Sequence, residues 1–555
     1  MSRDRGALAL MLHSHMPYVE GFGTWPFGEE WLWEAVSTVY LPLAQLLVDT
    51  GAPITLGLTP VLCDQLETLP GPAGDRLLSF LRETRRYVHE EDGAGLERAG
   101  ERELAEEVRR AGRDYEAAAE ALEGGGRARG GAQPERLGRS AAGTSREERS
   151  RNVSGGAQPE RCSGEHRTEE SPASTAPKNL RRAPHRRISG EHRTNLLAAL
   201  ARSASDGGVE LWTSSATHAL LPLLASDAGL RLQLATGIAS HERRFGSFGG
   251  GFWLPECAYV PGLERELADH GVRTMCVDQT DVHGAGAPEA LEPVITEAGV
   301  VAVPIDWATV ALVWDDRTGY PVHGAYRDYH HRTVHDLRPW SNRGAPYDPG
   351  QAAVRAREHA RDFVVRCIAR LDAHLADRGR AGLLCCAFDT ELLGHWWYEG
   401  QTWLAAVLDE CSSQGLDLVS ISDGVERVGA MEGDLAASSW GSPKDFSTWD
   451  SPLVADLAFE ARRAELRTVA EAAGERAAGT SALARAAREL LALQSSDWAF
   501  QVTRDLASDY PLRRVAGHLA AHDAAIGALA HSGAVPDPAL RNLAPDLDLA
   551  TLLAP

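Results

Sequence analysis

Eight short apolar runs punctuate the first three quarters of the chain: Ala7–Leu12, Ile54–Leu58, Val209–Trp212, Gly251–Leu254, Val272–Val277, Val300–Ile305, Gly382–Phe388 and Leu416–Ile421. They lack the polar alternation of a half-exposed strand, so they read as strands buried on both faces, the pattern of a parallel sheet. Stretches of helical spacing lie between many of them. This alternation predicts a parallel α/β barrel rather than an open sheet. Polar and aromatic residues cluster just after the runs: His13 and His15, Thr213–His218, Glu256 and Asp389. Barrel active sites are built there, at the C-terminal ends of the strands. Leu77–Leu122 and Asn195–Ala204 have helical spacing and read as an excursion from the barrel. Beyond Asp423 the texture changes, and Ala455–Leu493 and Arg513–Ala530 predict a helical C-terminal domain.

One segment fits neither pattern. Residues 124–194 hold almost no Leu, Ile, Val or aromatic residue and repeat themselves: Gly130–Arg136 reappears at Gly155–Arg161, and Ser163–Thr168 at Ser189–Thr194. With 15 basic and 8 acidic residues the segment carries +7, in a chain of net charge −22. Such composition cannot bury enough apolar surface to fold alone, so disorder is expected. An insertion tolerated at a loop tip is the simpler reading, and an arm docking on an acidic surface the sharper one. The expected organisation is a barrel at 1–75 and 205–422, a helical insertion at 76–123 and 195–204, the low-complexity block at 124–194, and a helical domain at 423–555. For 555 residues, that agrees with about 150 residues per domain.

Composition narrows the function. The acidic balance argues against nucleic acid as a partner. No apolar run reaches the roughly 18 residues of a membrane span, and Gly6–Leu12 leads into His13 without a signal-peptide cleavage site. Eight scattered cysteines without a C-x-x-C spacing read as reduced core thiols in a cytoplasmic protein. Fourteen tryptophans supply either a large core or platforms for sugar rings, so position must decide.

Two carboxylates stand out. Phe252-Trp-Leu-Pro-Glu256-Cys-Ala-Tyr259 and Phe388-Asp389-Thr-Glu-Leu-Leu-Gly-His-Trp-Trp-Tyr-Glu-Gly400 each place an acid just past an apolar strand. A carboxylate there is costly unless it is paired or used. Two of them among tryptophans fit retaining glycosidic chemistry, with one as nucleophile and the other as acid/base. Each also fits a structural partner for an arginine. His13-Ser-His15 is open to three readings: a metal site with Asp389, donors to sugar hydroxyls, or satisfied core histidines. There is no H-E-x-x-H and no G-x-x-x-x-G-K-[ST], and the glycines at Gly246–Gly251 lead into a strand, which disfavours a phosphate cradle.

The motifs His13–Val19, Trp25–Trp33, Glu210–His218, Trp253–Tyr259 and Asp389–Gly400, in that order, resemble those of glycoside hydrolase family 57. More narrowly they resemble its 1,4-α-glucan branching enzymes, whose C-terminal domain Gln494–Trp498 also resembles. The likeness spans nearly the whole chain outside 124–194. It implies an incomplete (β/α)7 TIM-like barrel with a helical insertion and an all-helical C-terminal domain. It also implies Glu256 as nucleophile, Asp389 as general acid/base, and His13, His15 and His218 lining the donor subsite. Trp25, Trp253, Trp340, Trp396, Trp440, Trp449, Asp497 and Trp498 would contact substrate, Trp440 and Trp449 on the acceptor side, although interdomain packing suits Trp449 equally. No metal and no cofactor are implied. The expected partner is an α-1,4-glucan, acted on by a monomer or homodimer with no nucleic acid or membrane partner. One departure is Gly319-Tyr-Pro-Val-His-Gly324, where the subgroup carries an acidic residue. The rival readings are 4-α-glucanotransfer or hydrolysis within the family, and a glucan-binding protein without catalysis. A metal-dependent deacetylase on a related barrel lacks its expected Asp-Asp pair and His-x-x-x-His here.

Overall fold

The computed structural model describes residues 5–24, 27–124, 195–474, 481–529 and 540–553. The strands in chain order are β1 Gly6–Ser14, β2 Thr55–Leu58, β3 Glu210–Ser214, β4 Gly251–Trp253, β5 Thr274–Val277, β6 Val294–Ile295, β7 Val301–Pro304, β8 Gly382–Asp389, β9 Leu418–Val419 and β10 Met431–Glu432. Seven pair in parallel in the order β7-β5-β4-β3-β2-β1-β8, the curled sheet of an incomplete barrel. β9 lies against β1, while β6 pairs antiparallel with β7 and extends that edge to β10. Between the outer strands β7 and β8 one backbone bond crosses, from Asp306 N–H to the Cys385 carbonyl at 2.9 Å. All eight apolar runs coincide with strands.

The reason is visible in β1, where all nine residues are buried. Helices cover a parallel sheet on its outer face and side chains fill the inside, so neither face needs polar residues. Where β1 meets β8, Gly6 lies opposite Gly382 in a left-handed conformation (φ +108°), and a Cβ there would fall 1.8 Å from the Gly382 carbonyl oxygen. Only glycine fits that approach.

The helical excursion after β2 comprises Pro72–Ser79, Phe80–Arg85, Arg86–Arg98 and Arg102–Leu122. Its Leu77, Phe80, Leu81, Ala118 and Leu122 share one continuous apolar core with the barrel. Leu196–Ser205, capped by the Asn195 side chain, then leads into β3. The low-complexity block, apart from exposed Gly124, lies outside the described residues. Glu29–Thr50 is the one helical stretch among the described residues long and apolar enough to cross a membrane, and 67% of its most apolar window is buried within the fold.

The C-terminal helices are Ala455–Ala472, Ser481–Leu493, Ser496–Arg504 and Tyr510–Leu529. Leu483, Leu490, Leu491 and Tyr510 form a second core that takes in Tyr18, Val61, Ala216 and Leu232 from the barrel side. Arg514 fastens the two: it donates to the Tyr18 carbonyl (2.5 Å) and the Tyr510 hydroxyl (2.8 Å), and lies over the Phe22 ring. This packing brings the start of Ser496–Arg504 to the C-terminal ends of the barrel strands.

Candidate active site

Register sets the first side of the site. His13 on β1 lies opposite Asp389 on β8, and the Ser14 hydroxyl donates to Thr390 at 2.8 Å. Glu256 sits three residues beyond β4 in a left-handed conformation (φ 60°, ψ 20°). A non-glycine residue there costs of order 1–2 kcal/mol, a strain that the surroundings must hold. They hold both ends of Glu256. Its carbonyl accepts from Trp440 N–H (2.9 Å), while Oε2 accepts from Trp440 Nε1–H (3.0 Å) and Oε1 from the Ser496 hydroxyl (3.0 Å). Asp389 accepts no side-chain hydrogen bond from any described residue.

Behind Glu256 runs a relay of neutral groups. Since Ser496 donates to Glu256, His218 Nδ1–H donates to Ser496 Oγ (2.9 Å), and His218 Nε2 accepts from His13 Nε2–H (2.9 Å). Burial, with the neighbouring histidines, holds His13 and His218 well below the usual histidine range. His15 differs. It contacts Asp497 Oδ2 at 2.7 Å and Thr59 Oγ1 at 3.2 Å. Burial pulls its pKa down, but Asp497, Glu391 and Glu256 outweigh that and raise it. Burial opposes ionisation of Asp497 too, yet His15 and His218, with the Ser495 bond, bring it down to about 2. His15 and Asp497 are therefore a buried pair, each favouring the charged form of the other, that joins the end of β1 to the C-terminal domain.

The remaining acids are held protonated more readily than usual. Burial pushes Asp389 well above the ordinary carboxylate range, with the charges of Glu391, Glu256 and Asp497 adding to it. Burial also raises Glu256, against the lowering bonds from Trp440 and Ser496. Glu391 rises to about 7 by burial, although the Tyr40 hydroxyl and His15 N–H both donate to it.

Comparison with known proteins identifies the family. Residues 186–432 match the model of glycosyl hydrolase family 57, and residues 459–548 that of the 1,4-alpha-glucan branching enzyme C-terminal domain. A probable 1,4-alpha-glucan branching enzyme of Mycobacterium tuberculosis is 32% identical over 544 residues, covering 93% of this chain and 90% of that protein. The chain belongs to glycosyl hydrolase family 57. A 1,4-alpha-glucan branching enzyme of Thermococcus kodakarensis is 29% identical, over 93% of this chain and 72% of that protein. The crystal structure of a family 57 branching enzyme from Pyrococcus horikoshii superposes with a TM-score of 0.77 at 26% identity, covering 99% of this chain and 97% of that one.

Within this family 57 site the expected residues do not all stand where the sequence suggests. Glu256, Asp389, His13, His15, His218, Trp440 and Asp497 come together. Three tryptophans expected at the substrate are buried. Trp253 is 0% exposed and stacks under His13 (ring centroids 4.6 Å), so it supports the histidines. Trp449, in the 433–454 loop, is buried with Leu220 and Ala258. Trp498 donates to the Ala492 carbonyl (2.8 Å) inside the C-terminal core, with Arg514 over its ring. In each case a ring adjoining the cleft in sequence packs inward because it joins two apolar layers. His13 and His218 are likewise buried, and His15 is the outermost of the three. Trp396 is 42% exposed and meets Trp314 edge to face, whereas half-buried Trp340 is stacked by His331. Trp25 lies outside the described residues. His15, His218 and Asp497 place ligand-type atoms within 4.8 Å of one another, a different set from His13, His15 and Asp389. The side-chain nitrogens of both histidines already face protein partners. Sequence reading missed Ser496, which stands inside the Gln494–Trp498 motif, and Tyr40, for which the sequence offers no signal.

Proposed function

We propose that this family 57 branching enzyme works through Glu256 as nucleophile and Asp389 as general acid/base. The observation that carries the assignment is the unequal treatment of two buried acids. Glu256 has a hydrogen-bond donor on each oxygen, which favours its anion against the upward push of burial. Asp389 has burial and negative neighbours but no donor, which pushes its pKa well above the ordinary carboxylate range and favours its protonated form.

The first step follows from this difference in hydrogen bonding. Glu256 attacks the anomeric carbon of an α-1,4-linked glucose, and Asp389 gives its proton to the departing 4-oxygen. The glucan beyond the cut leaves with a 4-hydroxyl, and the donor segment is held as a glycosyl ester on Glu256. In the second step a glucan 6-hydroxyl attacks the same carbon, its proton passes to Asp389, and Glu256 is released. Two inversions retain the α configuration and make an α-1,6 branch. Water competes at the second step, so orienting the acceptor and excluding solvent decide the outcome. Trp440, half-buried against Glu256, and exposed Trp396 are the aromatic faces offered to glucan. Seven free, buried cysteines support a reducing compartment, the cytosol.

Proton NMR of amylose incubated with the purified protein, with reducing ends assayed in parallel, tests this reading. New α-1,6 anomeric signal with few new reducing ends is expected. Reducing ends without that signal would make the chain a hydrolase.

A further inference from the structure

The 433–454 loop that brings Trp440 to Glu256 contains no helix or strand. Its course is set by discrete fasteners. Ser438 and Tyr259 exchange backbone bonds (2.9 and 3.0 Å), and Gln279 holds the Ala436 backbone and the Ser438 hydroxyl. Beyond Trp440 the fastener is Lys444. Its carbonyl accepts from Ser439 N–H (3.2 Å) and its ammonium donates back to the Trp440 carbonyl (3.1 Å), closing the loop on itself. The same ammonium donates to Asp278 Oδ2 (2.6 Å), just beyond β5, and lies 3.3 Å from the centre of the Trp307 ring. Asp278 is fully buried and also accepts from Thr280 N–H (2.9 Å) and Trp307 Nε1–H (2.5 Å). An ammonium has three donors, and here each has a partner: a carboxylate, a carbonyl and a π face.

The residue type bears on this. Lysine and arginine together number 56 in the sequence, and only Lys178 and Lys444 are lysines. Lys178 falls in the low-complexity block, so Lys444 is the one lysine among the described residues. A chain that supplies nearly every positive charge with arginine uses lysine where three partners surround one nitrogen. A guanidinium is planar and spreads its donors along a fork, so it does not fit that geometry.

We propose that Lys444 is a positioning residue for the transfer step, holding Trp440 so that its indole N–H stays on Glu256 and its ring stays beside the intermediate. The inference rests on the assignment of Glu256 above. Without the Lys444 bridge, Trp440 swings from Glu256, which loses the donor on Oε2, and water reaches the glycosyl ester more often.

The test compares wild type, Lys444→Met, Lys444→Gln, Trp440→Phe and the double variant Lys444→Met/Trp440→Phe, with Glu256→Gln as the inactive control. Lys444→Met is expected to lower kcat for branching about 10-fold or more with KM within about twofold, the pattern of a lost transition-state interaction. Reducing ends formed per α-1,6 linkage should rise. The acidic limb of the kcat/KM profile should move to higher pH, because Glu256 loses a bond that favours its anion. In the Trp440→Phe background the Lys444 change should add little, since both act through one contact. A wild-type product ratio and acidic limb in Lys444→Met, an additive double variant, or failure of both Lys444 variants to fold would overturn the proposal. Absence of α-1,6 product from wild type, or an active Glu256→Gln, would instead overturn the reading of the site and this inference with it.

Discussion

Glu256 and Asp389 are the same kind of group in the same kind of place, and hydrogen bonding separates them: Glu256 has a donor on each oxygen and Asp389 has none among the described side chains. For Asp389 the separation has a thermodynamic consequence. Its folded pKa lies above that of the unfolded chain, so the folded state binds more protons and stability falls as pH rises through the interval between the two values. Asp389→Asn removes that acid while keeping its shape. It should therefore lower kcat by roughly 10²–10⁴-fold, the range for a lost general acid/base. It should also raise Tm at neutral pH, by an amount that grows upward from about pH 4. Calorimetry across pH checks this; a variant less stable at every pH would remove burial as the cause of the shift.

At the scale of the element, strand β4 leads to Glu256, and its placement depends on one glycine. A Cβ on Gly251 would lie 2.1 Å from Trp212 Nε1 and 2.2 Å from its Cδ1. Trp212 is fully buried on β3 and has nowhere to move. Gly251→Ala must push the two strands apart or expel the indole, an overpacking change that costs about 1–3 kcal/mol. The displacement occurs five residues before Glu256, so kcat should fall together with Tm. Thermal melts and initial rates on amylose measure both; full activity with a normal Tm would mean the strands tolerate the shift. The low-complexity block is an element of another kind. Its composition marks it as unable to form a core, and the described residues on either side, exposed Gly124 and Asn195, are already held by their own helices.

For the whole molecule, this makes the barrel, the helical excursion and the C-terminal domain one packed body that the block does not complete. Replacing 125–194 with a short Gly/Ser link should leave kcat, KM and Tm close to wild type, since loop length costs little free energy. A collapse of Tm would show that the block contributes to the fold. The C-terminal helices, in contrast, belong to the site: Ser496 holds Glu256, Asp497 pairs with His15, and Arg514 locks their domain to the barrel.

The sequence by itself determined the barrel, because strands buried on both faces must be apolar throughout and the polar residues after them stand out. Glu256 and Asp389 were legible for that reason, as was the change of texture into the C-terminal helices. Tertiary structure alone decided which rings face the cleft. Trp253, Trp449 and Trp498 carry motif positions, yet all three are buried, and a side chain's layer is set by residues hundreds of positions away. The same holds for Ser496 on Glu256, Tyr40 on Glu391 and Lys444 between Asp278 and Trp440. Each is a contact of a few ångströms between distant segments, and spacing along the chain carries no record of it.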